Sequence, residues 1–252
     1  MPIICVGNFT AGGTGKTPLT MHLTTSLTAA GRRAAILTRG YGGSTRGPHW
    51  VDPDSNSAAL VGDEPLLLAR TAPTLVCRDR ALGARTIEAD ARGFDVLLMD
   101  DGLQNPALAK TLTLAVVDGA RGFGNGHVIP AGPMRAPLSL QLERTDAIVV
   151  NLGSNIDEAD SLVLQRLNRD FNGPVLVARV AVAGETTWLT ERPILAYAGI
   201  GAPHRFFDLL ERHGARIVER AAFPDHHAFT AADLFQNAPF LVLAVRWDQE
   251  RS

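Results

Sequence analysis

Short, almost unbroken apolar runs punctuate the amino-terminal part of the chain: Ile3–Val6, Ala34–Thr38, Thr74–Cys77, Asp95–Met99, Leu112–Val117 and Ala147–Leu152. None alternates apolar and polar residues as a half-exposed strand would. The pattern predicts strands buried on both faces, as in a parallel sheet covered by helices. Between the first two runs the period changes. Leu19, Leu23, Leu27 and Ala30 recur at helical spacing through Lys16–Ala30, and Gly31 supplies a stop. The first 38 residues therefore predict a β-α-β unit.

Beyond residue 153 the texture changes. Asp157–Asp170 reads as an amphipathic helix and Pro174–Val182 as a long strand. A polar turn near Thr186–Arg192 precedes a strand at Ile194–Ala198, a helix at Arg205–His213 and a short strand at Ile217–Val218. The expected organisation is a lobe over 1–153, connecting strands over 154–185 and a smaller lobe over 186–252. The class is α/β, a mostly parallel sheet flanked by helices with a smaller α/β carboxy-terminal lobe.

Composition narrows the function classes. With 252 residues, 46% hydrophobic and 20% charged, the chain can bury a sizeable core. A formal net charge of −2 lacks the basic excess of a nucleic-acid binder, so no nucleic-acid partner is expected. Cys5 and Cys77 sit in apolar stretches and read as small buried residues of a reducing compartment rather than as a disulfide or metal pair. No apolar run approaches the roughly 18–20 residues that span a bilayer, and Pro2–Val6 is too short for a signal-peptide core.

Candidate chemistry begins at "FTAGGTGKTP", residues 9–18, placed between the first strand and the first helix. Gly12, Gly13 and Gly15 let the main chain approach a phosphate closely, so that the N–H groups of Thr10, Ala11 and Thr14 and the helix amino terminus can cradle it. Lys16 would neutralise the β- and γ-phosphates, and the Thr17 hydroxyl would join a Mg²⁺ shell. Pro18 suits the first helical turn. Thr10 stands where the general P-loop pattern has its first glycine, but the rest of the cradle is present. Ala11 occupies the position of the signature lysine of dimer-switch ATPases, which makes that class a poor match. "DVLLMDDG" adds a buried strand ending in Asp100 and Asp101, the layout of a Walker B strand whose carboxylate serves Mg²⁺. The two motifs predict a P-loop NTPase-type lobe using ATP and Mg²⁺. Taken alone they leave open a kinase or ATPase with a soluble substrate, and a nucleotide binder without turnover.

Further motifs identify a family. "VGNFTAGGTGKTP", "RGYGG" (39–43), "VGDEP" (61–65), "DDGLQ" (100–104), "PAGPMR" (130–135), "AGIGAPHRFF" (198–207) and "FPDHH" (223–227) occur in one order. Together they resemble the tetraacyldisaccharide 4′-kinase family of lipid A biosynthesis, in which Thr10 is an accepted loop residue. The resemblance implies transfer of the γ-phosphate of ATP to the 4′-hydroxyl of a lipid A disaccharide precursor, tetraacyldisaccharide 1-phosphate. It also implies a peripheral enzyme at the cytoplasmic face of the bacterial inner membrane. It makes Asp63 the candidate base and His226 the histidine paired with it. Glu64 and Asp100 become acids near the metal, and Asp101 a supporting acid. Arg80 and Arg135 are expected to face phosphate or disaccharide groups. Arg39 and Tyr41 follow a strand carboxyl end, where ligands of α/β proteins bind. Read singly, Asp63 is a helix cap before Glu64–Ala69, His226 a loop histidine, Arg80 and Arg135 surface arginines, and Tyr41 a packed loop residue. Two positions depart from the family pattern: Asn105 replaces a histidine and Ala136 a glutamate. Against that pattern the chain also starts almost at the first strand, without an apolar amphipathic segment. It then passes from Ala231–Asp233 almost directly to a last strand at Phe240–Trp247, so the smaller lobe is expected to be shortened.

Overall fold

In the computed structural model the described residues are 1–152, 158–179, 185–190, 193–201, 203–224, 227 and 241–245. They fall into two compact units, Met1–Arg179 and Val180–Ser252.

The first unit is an eight-stranded sheet. Its strands are β1 (Ile3–Asn8), β2 (Ala34–Thr38), β3 (His49–Trp50), β4 (Thr74–Val76), β5 (Val96–Asp100), β6 (Leu112–Asp118), β7 (Ala147–Leu152) and β8 (Val175–Arg179). The spatial order is β3-β4-β2-β5-β1-β6-β7-β8, with every pairing parallel except β3 with β4. Helices α1 (Lys16–Ala29), α2 (Ala58–Val61), α3 (Asp63–Ala69), α4 (Arg80–Glu88), α5 (Leu138–Leu142) and α6 (Glu158–Asp170) link them. All six apolar runs of the sequence are strands of this sheet. The strand expected as a connector is β8, which pairs along β7 and extends the large sheet to Arg179.

Unbroken runs became central strands because successive side chains leave opposite faces and both faces are covered. Ile36 and Leu98 pack with Leu68 under α1 and α3, whereas their neighbours Leu37 and Leu97 pack with Ile87 under α4. A third cluster, around Phe9, Leu103, Phe123, Ile148 and Val150, fills the β6–β7 half of the sheet. Every residue of β5 is buried. Truncating one of these leucines to alanine would cost about 2–5 kcal/mol.

Helix α1 differs in detail from the expected leucine stripe. Its buried residues are Thr17, Thr20 and Thr24, and Leu23 and Leu27 flank them, only partly covered. Threonine tolerates burial here because Thr20 and Thr24 donate their hydroxyls to the carbonyls one turn back, at 3.0 and 2.7 Å. Their methyl groups then remain for packing.

The second unit has a parallel three-stranded sheet in the order β10-β9-β11, formed by β9 (Pro193–Ala198), β10 (Arg216–Ala222) and β11 (Leu241–Val245). A short 3₁₀ turn spans Thr187–Thr190, and α7 (Pro203–Arg212) packs Phe207 and Leu210 onto Ile194, Ala196 and Ala198. Phe207 is thus core, and Phe206 packs at its margin.

Candidate phosphoryl-transfer site

The register of the large sheet assembles the site. Asp100 ends β5 beside Val6 of β1, and Leu37 pairs with Met99, which brings Thr38 alongside Asp100. The glycine-rich loop begins just past the carboxyl end of β1. Ligands of open α/β sheets bind at such carboxyl ends.

The loop returns to helix at Gly15, whose φ of 98° is left-handed and which caps α1. A Cβ at Gly15 would lie 2.7 Å from the Asn151 amide nitrogen, so only glycine fits there. Lys16 and Thr17 are consequently the first residues of α1, at its positive end. Ala11, Gly12 and Gly13 are exposed, and Thr14 is buried. Two asparagines brace the loop from beneath. Asn8 Nδ2 donates to Gly12 O at 3.2 Å and to Thr14 Oγ1 at 3.3 Å, and Asn151 Nδ2 donates to Thr14 O at 3.1 Å.

Thr10 is held through its main chain. It forms a bridge with Met134, while Ala11 N donates to Pro133 O and Arg135 N to Phe9 O. "PAGPMR" is therefore a strap along the first limb of the loop. Arg135 completes it: Nε donates to Thr10 O at 3.2 Å, and Nη1 donates to Asp101 Oδ2 at 3.1 Å while lying 3.0 Å from Oδ1.

The acids occupy contrasting settings. Asp100 is 1% exposed; the Thr38 hydroxyl donates to Oδ2 at 3.3 Å, and the Thr20 hydroxyl oxygen lies 3.4 Å from Oδ1. Burial pushes its carboxyl up to about 7, Glu64 and Asp101 push the same way, and Lys16 and Arg80 oppose them. Asp101 has a φ of 50°, which turns its side chain away toward the strap. The Thr17 hydroxyl donates to Glu64 at 3.4 Å. Asp63 is the first residue of α3, not its cap. Gly62 holds the cap position, and Asp63 Oδ1 accepts from Glu64 N at 3.0 Å.

These donors suit Mg²⁺. Thr17, Glu64 and Asp100 offer hard oxygen donors, and Glu64 and Asp101 raise the proton affinity of Asp100, which a cation would relieve. Among the described residues no three His, Cys, Asp or Glu side chains form a metal cage.

Other expected residues lie elsewhere. Arg80 is 3% exposed and donates to the backbone carbonyls of Cys77 and Asp100 at 3.4 and 3.1 Å, so it braces β5 from within. Two of its five N–H groups serve carbonyls that would otherwise be buried without donors. Arg39 and Tyr41 are exposed in the loop after β2, so Tyr41 is not a packed loop residue. Asn105 turns its side-chain oxygen to Ala107 N, closing a local turn. His226 lies outside the described residues. The sequence reading missed Asn8, Thr20, Thr38, Gln104, Gln141 and Asn151. Asn8 and Gln104 at least stood inside quoted motifs, whereas the others carried no signal beyond single polar residues in buried elements.

Comparison with known proteins converges on one group. The family profile described as tetraacyldisaccharide-1-P 4′-kinase matches residues 1–240. The chain is 51% identical to the tetraacyldisaccharide 4′-kinase of Rhodopseudomonas palustris (strain BisB5), covering 93% of this chain and 68% of that protein. It is 50% identical to the enzyme of that name from Methylorubrum extorquens (strain PA1), covering 92% and 69%. The crystal structure of LpxK from Aquifex aeolicus in complex with ATP superposes with a TM-score of 0.74 at 25% identity, covering 98% of this chain and 78% of that one. A phosphate loop, a strand-end acid pair and a strap of "PAGPMR" thus meet in a chain that matches one profile over nearly its whole length: it belongs to the tetraacyldisaccharide-1-P 4′-kinase family.

Proposed function

We propose that this protein transfers the γ-phosphate of ATP to the 4′-hydroxyl of tetraacyldisaccharide 1-phosphate, a step of lipid A biosynthesis. The observation that carries the reading is the family match over residues 1–240, which spans the phosphate loop, both acids and the strap.

The chemistry divides among the residues at the sheet edge. The N–H groups of Gly12 to Gly15 hold the phosphates, that of Ala11 being bonded to Pro133 O, and Lys16 balances their charge. Thr17, Glu64 and Asp100 would hold Mg²⁺, which when bound would offset charge developing on the transferred group. Arg135 and Asp101 keep the loop and the acid pair in register. Asp63, partly exposed at the positive start of α3, orients the acceptor hydroxyl and takes its proton, and His226 supports it. Arg39 and Tyr41, exposed at the same edge, are assigned to the acceptor.

The acceptor is a lipid, so we also assign the protein to the cytoplasmic face of the inner membrane as a peripheral enzyme. Among the described residues no helix is long and apolar enough to cross a membrane. Association would be read by co-sedimentation with vesicles.

The decisive assay supplies Mg-ATP and tetraacyldisaccharide 1-phosphate in detergent micelles. A 4′-phosphorylated product well above that of a Lys16→Ala control is expected. Product no higher than that control would sink the assignment, and turnover indifferent to the lipid would move the acceptor to a soluble compound.

A further inference from the structure

Where β1 leaves the sheet, one glutamine amide takes the carbonyl of Asn8, and a second shares the carbonyl of Phe9 with Arg135 N. Gln104, in the loop after the acid pair, donates Nε2 to Asn8 O at 2.8 Å. Gln141, from α5, donates Nε2 to Phe9 O at 3.2 Å and to Ala136 O at 2.8 Å. The amides also meet each other, Gln104 Nε2 donating to Gln141 Oε1 at 2.7 Å. Thr145 then fixes the end of α5 by donating its hydroxyl to Gln141 O at 2.8 Å.

Gln141 is 2% exposed, and its neighbours on α5, Leu138 and Leu142, pack against the apolar cluster around Phe9 and Met134. Burying an unpaired amide there would be costly. Both of its N–H bonds and its oxygen are used, so the pair forms a satisfied polar unit of the kind that fixes geometry. Packing alone would be served by a leucine or methionine. What the amides add is register among three segments far apart in sequence: the start of the phosphate loop, the loop behind Asp100 and Asp101, and the strap. Gln141 reaches the strap at Ala136, the position where the family pattern carries glutamate.

We infer that Gln141 is a positioning residue for phosphoryl transfer, acting with Gln104 to hold the phosphate loop in register with the acid pair. The inference rests on the phosphate-site reading above and not on the identity of the acceptor. Gln141→Met in the full chain keeps length and loses both donors. Binding of a fluorescent ATP analogue with Mg²⁺, the melting shift produced by Mg-ATP, and kcat and KM in the lipid assay would be compared with the unsubstituted protein. Turnover should fall roughly 10- to 100-fold, since small misplacements at a transfer site cost that much. The melting shift should shrink by at least half, with a nucleotide-free melting temperature within a few degrees of the unsubstituted protein. Gln104→Met should behave alike, and the double variant should be no worse than the poorer single, as for a coupled unit. Gln141→Glu, which keeps an acceptor and loses the donors, carries the same test if the methionine variant does not fold. Unchanged affinity and turnover in either folded variant, or losses that multiply in the double variant, would overturn the inference. If the unsubstituted protein binds nucleotide without phosphorylating the lipid, the kinase reading fails, while binding and melting still decide on Gln141.

Discussion

On one flank of the phosphate loop, Asp100 stands at the buried end of β5, met only by neutral hydroxyls on its carboxylate oxygens. On the other flank, one residue later, Asp101 turns through a left-handed backbone and meets the guanidinium of Arg135. The two acids share a dipeptide and almost nothing of their electrostatics. Asp100 is desolvated beside Glu64 and Asp101, so its negative charge is expensive until a cation joins it. Asp101 already has its cation, and that cation is bolted to the strap and to Thr10 O. The difference separates two tasks that a motif writes as one: a charge waiting for Mg²⁺, and a fixed tie between the acid loop and the phosphate loop.

The sharpest way to break this comparison is to neutralise each acid in turn. Asp100→Asn should lower kcat at saturating Mg-ATP by on the order of 10²–10³-fold, the usual loss for an electrostatic group at a transfer site. Its nucleotide-free melting temperature should hold or rise, because a buried charge has gone. Asp101→Asn should cost about tenfold, as expected for a tie acting through geometry. Adding Arg135→Met should deepen that loss by less than its own single effect, because the shared ion pair is already broken and only the Nε bond to Thr10 O is newly lost. Equal losses in Asp100→Asn and Asp101→Asn would show that the flanks are not different in kind.

Much of this arrangement was legible in sequence, and the parts that were not share a cause. Central strands announced themselves because burial on both faces leaves no polar position to interrupt the run, as in "VLLMD". The two-residue β3 offers no pattern to detect. In α1 the leucines drew attention, yet Thr17, Thr20 and Thr24 face the sheet, since a threonine that satisfies its own hydroxyl locally packs as an apolar residue. Loop motifs singled out Lys16, Thr17 and Asp100 because glycine and charge together are rare between strand and helix, whereas Arg135 came from the family resemblance. The motifs did not disclose where an arginine points: Arg80 bears the same charge as Arg135 but donates to backbone carbonyls. Gln141 and Asn151 stayed silent because an amide's importance lies in partners more than a hundred residues away.

A last measurement tests the electrostatic difference without any substrate. In a metal-chelating buffer with no nucleotide, the Asp100 carboxyl of the folded protein titrates near 7, whereas its ordinary value is 3.8. Below about pH 4 both folded and unfolded chains hold the proton, and the contribution of Asp100 to stability is complete. As pH rises further, the unfolded chain releases a proton that the folded chain retains. Stability therefore falls, and the loss is complete once pH has passed through the folded value. One pKa unit corresponds to about 1.4 kcal/mol, which caps the slope from this group per pH unit. Other carboxylates contribute equally to the unsubstituted protein and to Asp100→Asn, so the difference between the two isolates Asp100. Urea midpoints measured from pH 5 to 8 should show the substituted protein gaining on its parent up to about pH 7 and level thereafter. A constant difference across that range would mean that Asp100 ionises like any surface carboxyl, and the contrast with Asp101 would rest on hydrogen bonds alone.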